Sequence, residues 1–191
     1  MNENFLAIDA SIRKEADEII YGKGLHNILS GFGIPFYTGS YALHLMTWRD
    51  LDIYLETENL SEKNFFELGS KIAVQFQPAK MSFRNERIAK TSGLPNGLYW
   101  GIYLGNERAG AWKIDVWTMD IDECRQRLGY CDNLFKRISD SDRKKILEIK
   151  SKCWQDPLYR RSYSSSDIYS AVLDKGIENF EQFRKWVQKI L

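Results

Sequence analysis

Asp50-Leu51-Asp52-Ile53 holds the side chains of this sequence best spaced to do chemistry. In a strand alternate side chains share a face, so the two carboxylates point the same way, roughly 7 Å apart at about 3.3 Å per residue. Leu51 and Ile53 then face a core. Like charges at that range disfavour each other's ionised form, and a divalent cation relieves the cost. Gly39-Ser40 stands nine intervening residues before Asp50. Glycine lets the backbone approach a ligand closely, and a helix opening after it presents free N–H groups to an anion. The chemistry these residues offer is that of a metal ion beside a phosphate. The plainer account of the acid pair is a solvated strand edge, and carboxylates held by Arg or Lys would remove the case for a metal.

Thr38-Gly39-Ser40, the spacer and Asp50-Leu51-Asp52-Ile53-Tyr54 resemble the signature of the DNA polymerase beta-like nucleotidyltransferase superfamily. There a glycine followed by Gly or Ser precedes an acid–apolar–acid–apolar strand. The family takes a third carboxylate from a later strand, and Trp112-Lys113-Ile114-Asp115-Val116-Trp117 offers Asp115. The resemblance covers residues 30–118 and departs at Thr38, where an apolar residue is usual. It implies that Asp50, Asp52 and Asp115 are catalytic and hold two Mg²⁺ ions, and that Gly39 and Ser40 hold the β/γ-phosphates of a nucleoside triphosphate such as ATP. The implied reaction moves a nucleoside monophosphate to an acceptor and releases pyrophosphate. In size and charge the chain is similar to small stand-alone bacterial members, so the implied acceptor is a small molecule or a protein. A catalytically silent relative, acting as a nucleotide-binding regulator or interaction protein, would carry the same acids. An unrelated two-metal phosphohydrolase would be expected to carry more His and Asp ligands than a chain with two histidines offers.

Other charged residues are candidates for the nucleotide. Lys113 shares a strand face with Asp115 and is placed either to touch a phosphate or to pair with the acids, the commonplace arrangement on sheets. Arg84 and Arg87, with Lys90, lie in a basic stretch that would cover the triphosphate if it formed a mobile loop; a solvated charge run explains them equally well. Tyr159-Arg160-Arg161 is a further clamp in prospect, because Arg grips phosphate bidentately, against the ordinary reading of a helix-end surface. His26 and His44 have no ligand spacing and read as satisfied or exposed histidines. No Ser–His–Asp spacing or Gly-Lys-Ser/Thr motif supports acyl transfer or P-loop hydrolysis.

The elements that must position these residues read as an α+β fold: a small mixed sheet with flanking helices over 1–119, then a helical portion over 120–191. Apolar spacing predicts a helix over 10–30, a strand over 34–38, a brief helix over 41–46 and a strand over 51–55. Ser61 caps a helix running to about Ala73. Pro78 to Gly97 reads as a basic loop, followed by strands over 98–104 and 111–118 joined at Gly105-Asn106-Glu107-Arg108. After Asp120 helical spacing dominates, broken near Ser139-Asp140 and by a loop over 155–165. Gly176 closes one helix, Asn179 and Gln182 suit a capping box for the last, and Ile177, Phe180, Phe183, Trp186 and Val187 form a stripe for packing within the protein.

Composition sets the outer bounds. The 191 residues are 43% hydrophobic, enough for one substantial core with a helical extension. The net charge of +1, from 27 basic and 26 acidic side chains, argues against a protein dedicated to coating nucleic acid. Nothing approaches the roughly twenty apolar residues of a membrane span, and Met1-Asn2-Glu3-Asn4 does not open a signal peptide. Cys124, Cys131 and Cys153 lack metal spacing and read as reduced thiols of a cytoplasmic protein.

Overall fold

A computed structural model describes residues 4–58 and 60–190; the first three residues of the chain, part of the N-terminus read above, lie outside them. The protein is α+β, with a five-stranded mixed sheet in the order β1-β2-β5-β4-β3. The strands are β1 (Ile34–Thr38), β2 (Asp50–Glu56), β3 (Lys80–Asn85), β4 (Leu98–Tyr103) and β5 (Lys113–Met119). Only β2 and β5 run parallel; the other neighbours are antiparallel.

The alternation in β2 is complete. Leu51, Ile53 and Leu55 are fully buried on one face, while Asp50, Asp52 and Tyr54 are half-buried on the other. The apolar face meets Ile114 and Val116 of β5 and Leu98, Trp100 and Ile102 of β4. It is covered by α1 (Phe5–Asp17), α2 (Leu25–Ser30) and α4 (Glu62–Phe76), which contribute Ile12, Leu25, Phe65, Leu68 and Ile72. Burying one such side chain is worth about 1.5–3 kcal/mol, so this face fixes the register and sends the acids to the opposite one.

The later helices are α6 (Ile121–Arg137), α7 (Asp140–Cys153), α8 (Ser165–Lys175) and α9 (Phe180–Ile190). Their starts are written in the sequence. Asp120 accepts from the Glu123 N–H, Ser139 and Asp142 form a capping box, and so do Ser164 and Asp167. Each such cap is worth about 1 kcal/mol. Ile177, Phe183 and Val187 pack inside this helical portion together with Ile146, Leu147 and Ile168. Leu43 and Leu45, from the segment after Ser40, join the same cluster, so the glycine turn sits where the sheet and the later helices meet.

Three expectations are corrected. The predicted first helix starts earlier and divides: α1 passes into a π turn over Glu18–Gly22, and Gly24 at φ 78° separates it from α2. The helix after Gly39 is α3 (Gly39–Leu43), closed by His44 in the left-handed region, and not residues 41–46. The stretch Pro78–Gly97 is no open basic loop, since it contains β3 and α5 (Glu86–Ala89). Met81 and Phe83 alternate with Lys80, Ser82 and Arg84, and that period-two pattern outweighs the charges.

Candidate active site

The polar face of the sheet carries the acids in one cluster. Asp52 lies directly opposite Asp115 across the parallel β2–β5 pair, and Asp50 opposite Lys113. All four line a cavity of about 570 Å³ that also includes Gly39 and Ser40. Gly39 adopts φ 60°, a conformation natural to glycine. A Cβ there would stand 3.1 Å from the Asp52 carboxyl carbon and closer still to one of its oxygens. Glycine is thus required twice, by its backbone angle and by its close approach to the acid.

Of the acid pair, Asp50 is held by Lys113 and Arg160, the circumstance set against a metal above, while Asp52 is held by neither. The Lys113 ammonium lies 2.5 Å from Asp115 Oδ2 and 3.7 Å from Asp50 Oδ1. The Arg160 guanidinium pairs with Asp50 Oδ2. Tyr99 donates its hydroxyl to Asp115 Oδ1 at 2.7 Å. Among the described residues no three His, Cys, Asp or Glu side chains are gathered as a metal site. Of the two readings of Lys113, the geometry is that of pairing with the acids.

Two oxygen-bearing groups remain unbalanced. Asp50 Oδ1 is buried with no hydrogen-bond partner among the described residues. Asp52 accepts no hydrogen bond among them, and its carboxyl is raised from an ordinary 3.8 to about 7 by burial, then by the Asp50 and Asp115 charges. Asp115 is also raised, by burial ahead of the opposing pull of Lys113. Burial works against the charge of Lys113, but Asp50 and Asp115 outweigh it and hold its pKa above the usual lysine value. Three carboxylates against two cations leave a formal excess of negative charge. Carboxylate oxygens that lack partners and repel one another are the donor set a hard divalent cation takes, so the donor chemistry fits Mg²⁺. Any such ion would have to share Asp50 and Asp115 with Arg160 and Lys113, or displace them.

Behind the Ser40 wall of the cavity stands a basic residue absent from the sequence-based candidates. Lys150 on α7 is completely buried. Its ammonium donates to Ser40 Oγ at 2.6 Å, to the Leu45 carbonyl at 2.8 Å and to the Tyr169 hydroxyl at 3.3 Å. It also lies 4.8 Å from the centre of the Trp48 ring. Among the described residues it forms no ion pair. Its signal in the sequence is its position, four residues after Ile146 and three after Leu147, on the buried stripe of α7.

The remaining candidates lie elsewhere. Arg84 shares the polar sheet face, but on edge strand β3, two strands from β5, where it pairs with Glu86 at 2.7 Å. Arg87 donates to the Leu60 carbonyl at 3.0 Å. Neither lines the cavity. Arg49, which reads as plain surface, bonds both oxygens of Glu15 at 2.6 and 2.8 Å and so ties α1 to the start of β2. His26 meets the Tyr37 hydroxyl at 3.0 Å, and burial lowers the pKa of His44; neither lines the cavity.

No helix among the described residues is long and apolar enough to cross a membrane. Compared with models of protein families and with curated proteins, the chain matches none.

Proposed function

We propose that this chain is a Mg²⁺-dependent nucleotidyltransferase that moves a nucleoside monophosphate from a triphosphate to a small-molecule or protein acceptor. One observation carries the reading. A single cavity is lined by Ser40, whose hydroxyl is held from behind by the buried Lys150 ammonium, and by Asp52, a carboxyl with no hydrogen-bond partner among the described residues, which stands opposite Asp115. A buried charge without a counter-charge is expensive. Here Asp52 lines the ligand-sized space itself, and the Lys150 ammonium stands one hydroxyl behind its Ser40 wall. A polyanion chelating a divalent cation satisfies both.

In this reading the Gly39–Ser40 turn, backed by Lys150, binds and orients the terminal phosphates. Asp50, Asp52 and Asp115 would hold Mg²⁺, which supplies charge neutralisation to the triphosphate and acidity to the acceptor hydroxyl. The acceptor oxygen bonds to the α-phosphorus as the α–β anhydride bond breaks, and pyrophosphate leaves with that electron pair. Asp115, made more basic by burial, receives the acceptor proton. Tyr99 fixes its rotamer through the bond to Oδ1.

The presence of Lys113 and Arg160 on the acids favours a second reading, a nucleotide-binding regulator or interaction protein without turnover. Calorimetry of ATP, GTP, CTP and UTP with Mg²⁺ or with EDTA, followed by pyrophosphate release over an acceptor panel, tests both. Metal-dependent binding with turnover is the expected result. Binding without turnover on any acceptor would select the regulator, and affinity indifferent to metal would remove the nucleotidyltransferase reading.

A further inference from the structure

Arg160 is held on Asp50 by a loop built to present it. Residues 154–164 join α7 to α8 and fold back on themselves. The Arg160 N–H donates to the Tyr163 carbonyl at 2.7 Å, the Ser162 N–H to the Leu158 carbonyl at 2.8 Å, and the Tyr163 hydroxyl to Asp156 at 2.9 Å. The loop is anchored from outside by Arg108, which donates to the Trp154 carbonyl at 2.8 Å. These bonds hold Arg160 at φ 67°, a left-handed conformation disfavoured for a residue with a side chain. Its guanidinium lies about 6 Å from the ring centres of both Trp48 and Tyr159. Among the described residues its one carboxylate contact besides Asp50 is a longer one, 3.6 Å, to Glu107 Oε2. The side chain is about one-third exposed and lines the same cavity as the acids and Ser40.

Resting on the functional reading above, we propose that Arg160 is a phosphate ligand that stands on Asp50 as a stand-in cation until a divalent ion arrives with the triphosphate. Asp50 then exchanges the guanidinium for the ion, and Arg160 turns to the phosphates, whose oxygens it matches bidentately. The exchange couples the two halves of the ligand. A divalent ion alone must displace Arg160 into water, whereas the ion with triphosphate offers Arg160 a new partner.

Opposite effects on two affinities test this. Arg160→Gln removes the competing charge and the phosphate contact together. It should bind Mn²⁺ alone, followed by electron paramagnetic resonance of the free ion, at least threefold more tightly than wild type. It should bind a non-hydrolysable ATP analogue with Mg²⁺, followed by calorimetry, at least tenfold more weakly. Arg160→Lys keeps the charge without the bidentate fork, and should leave Mn²⁺ affinity within twofold of wild type while still weakening the analogue. If Arg160→Gln moves both affinities in the same direction, or neither, in a protein whose wild type binds the analogue, the role of Arg160 is overturned and the functional reading stands. If wild type and variants alike fail to bind the analogue with Mg²⁺, the functional reading falls and this inference falls with it.

Discussion

Replacing Asp52 by Asn should stabilise the metal-free protein, and by an amount that grows with pH. Asp52 has a folded-state pKa of about 7 against an ordinary 3.8. Below the lower value both folded and unfolded chains hold the proton, and the site costs nothing. Between the two values the folded chain binds the proton more tightly than the unfolded one, so stability declines as pH rises, and above about 7 the decline is complete. Each unit is about 1.4 kcal/mol. The interval from pH 5 to the upper pKa therefore corresponds to roughly 3 kcal/mol that wild type loses. The non-titrating amide at position 52 avoids that loss. For a chain of this size 1 kcal/mol moves the melting temperature by about 2–4 °C.

The assay is thermal unfolding of wild type and Asp52→Asn in EDTA at half-unit steps from pH 5 to 8.5. The melting-temperature advantage of the variant should widen by about 6–12 °C between pH 5 and 8 and then level off. An advantage that stays flat across that range would mean that Asp52 is not held in an anion-disfavouring site, and the case for a waiting cation site would go with it. Repeating the series in millimolar Mg²⁺ should shrink or reverse the advantage, because wild type then gains binding energy that the amide cannot supply.

Two further substitutions separate the roles on either side of the cavity. Lys150→Met, close to isosteric, should weaken triphosphate binding in Mg²⁺ at least tenfold by calorimetry, since hydrogen bonds to charged groups are worth about 1.5–3 kcal/mol; unchanged affinity would place Lys150 in the framework only. Asp115→Asn should keep triphosphate affinity within a few-fold and reduce pyrophosphate release at least about 10²-fold, the usual size for one acid–base or charge-stabilising group; undiminished release would move the base to another residue.

Local signals carried most of the scaffold and half of the site. The acid–apolar alternation of β2 and the caps at Ser61, Asp120 and Ser139 depend on neighbours within four residues, and each of those elements starts within a residue of the position read from the sequence. Asp115 is singled out by the family resemblance, which asks for a third acid on a later strand, and the parallel pairing sets it opposite Asp52. The signal of β3 is local too, but the charges of Lys80 and Arg84 mask the alternation of Met81 and Phe83. Lys150 and Arg160 are a different case. Each meets its partner, Ser40 or Asp50, across 110 positions of sequence. No window of local pattern reports such a contact: a lysine within a helix normally reads as surface, and the run Tyr159-Arg160-Arg161 suggests a phosphate clamp without naming Asp50 as its partner.

Those two distant cations nevertheless decide what the acids can do. The motif region by itself holds three carboxylates with only Lys113 against them, and would repel a triphosphate. The later portion of the chain brings Lys150 behind the Ser40 wall and Arg160 onto Asp50, while Arg127, which also lines the cavity, is already paired with Glu123. Lys150 is buried among neutral acceptors, and Arg160 is exposed enough to move. A fixed ammonium suits a permanent phosphate subsite, because moving it would strand the Leu45 carbonyl and the Ser40 hydroxyl. A guanidinium on an exposed loop suits exchange, because water can take either partner when the pair opens. The helical portion therefore belongs to the site as much as the sheet does. Residues 1–119 expressed alone would keep every acid of the motif and should not bind triphosphate.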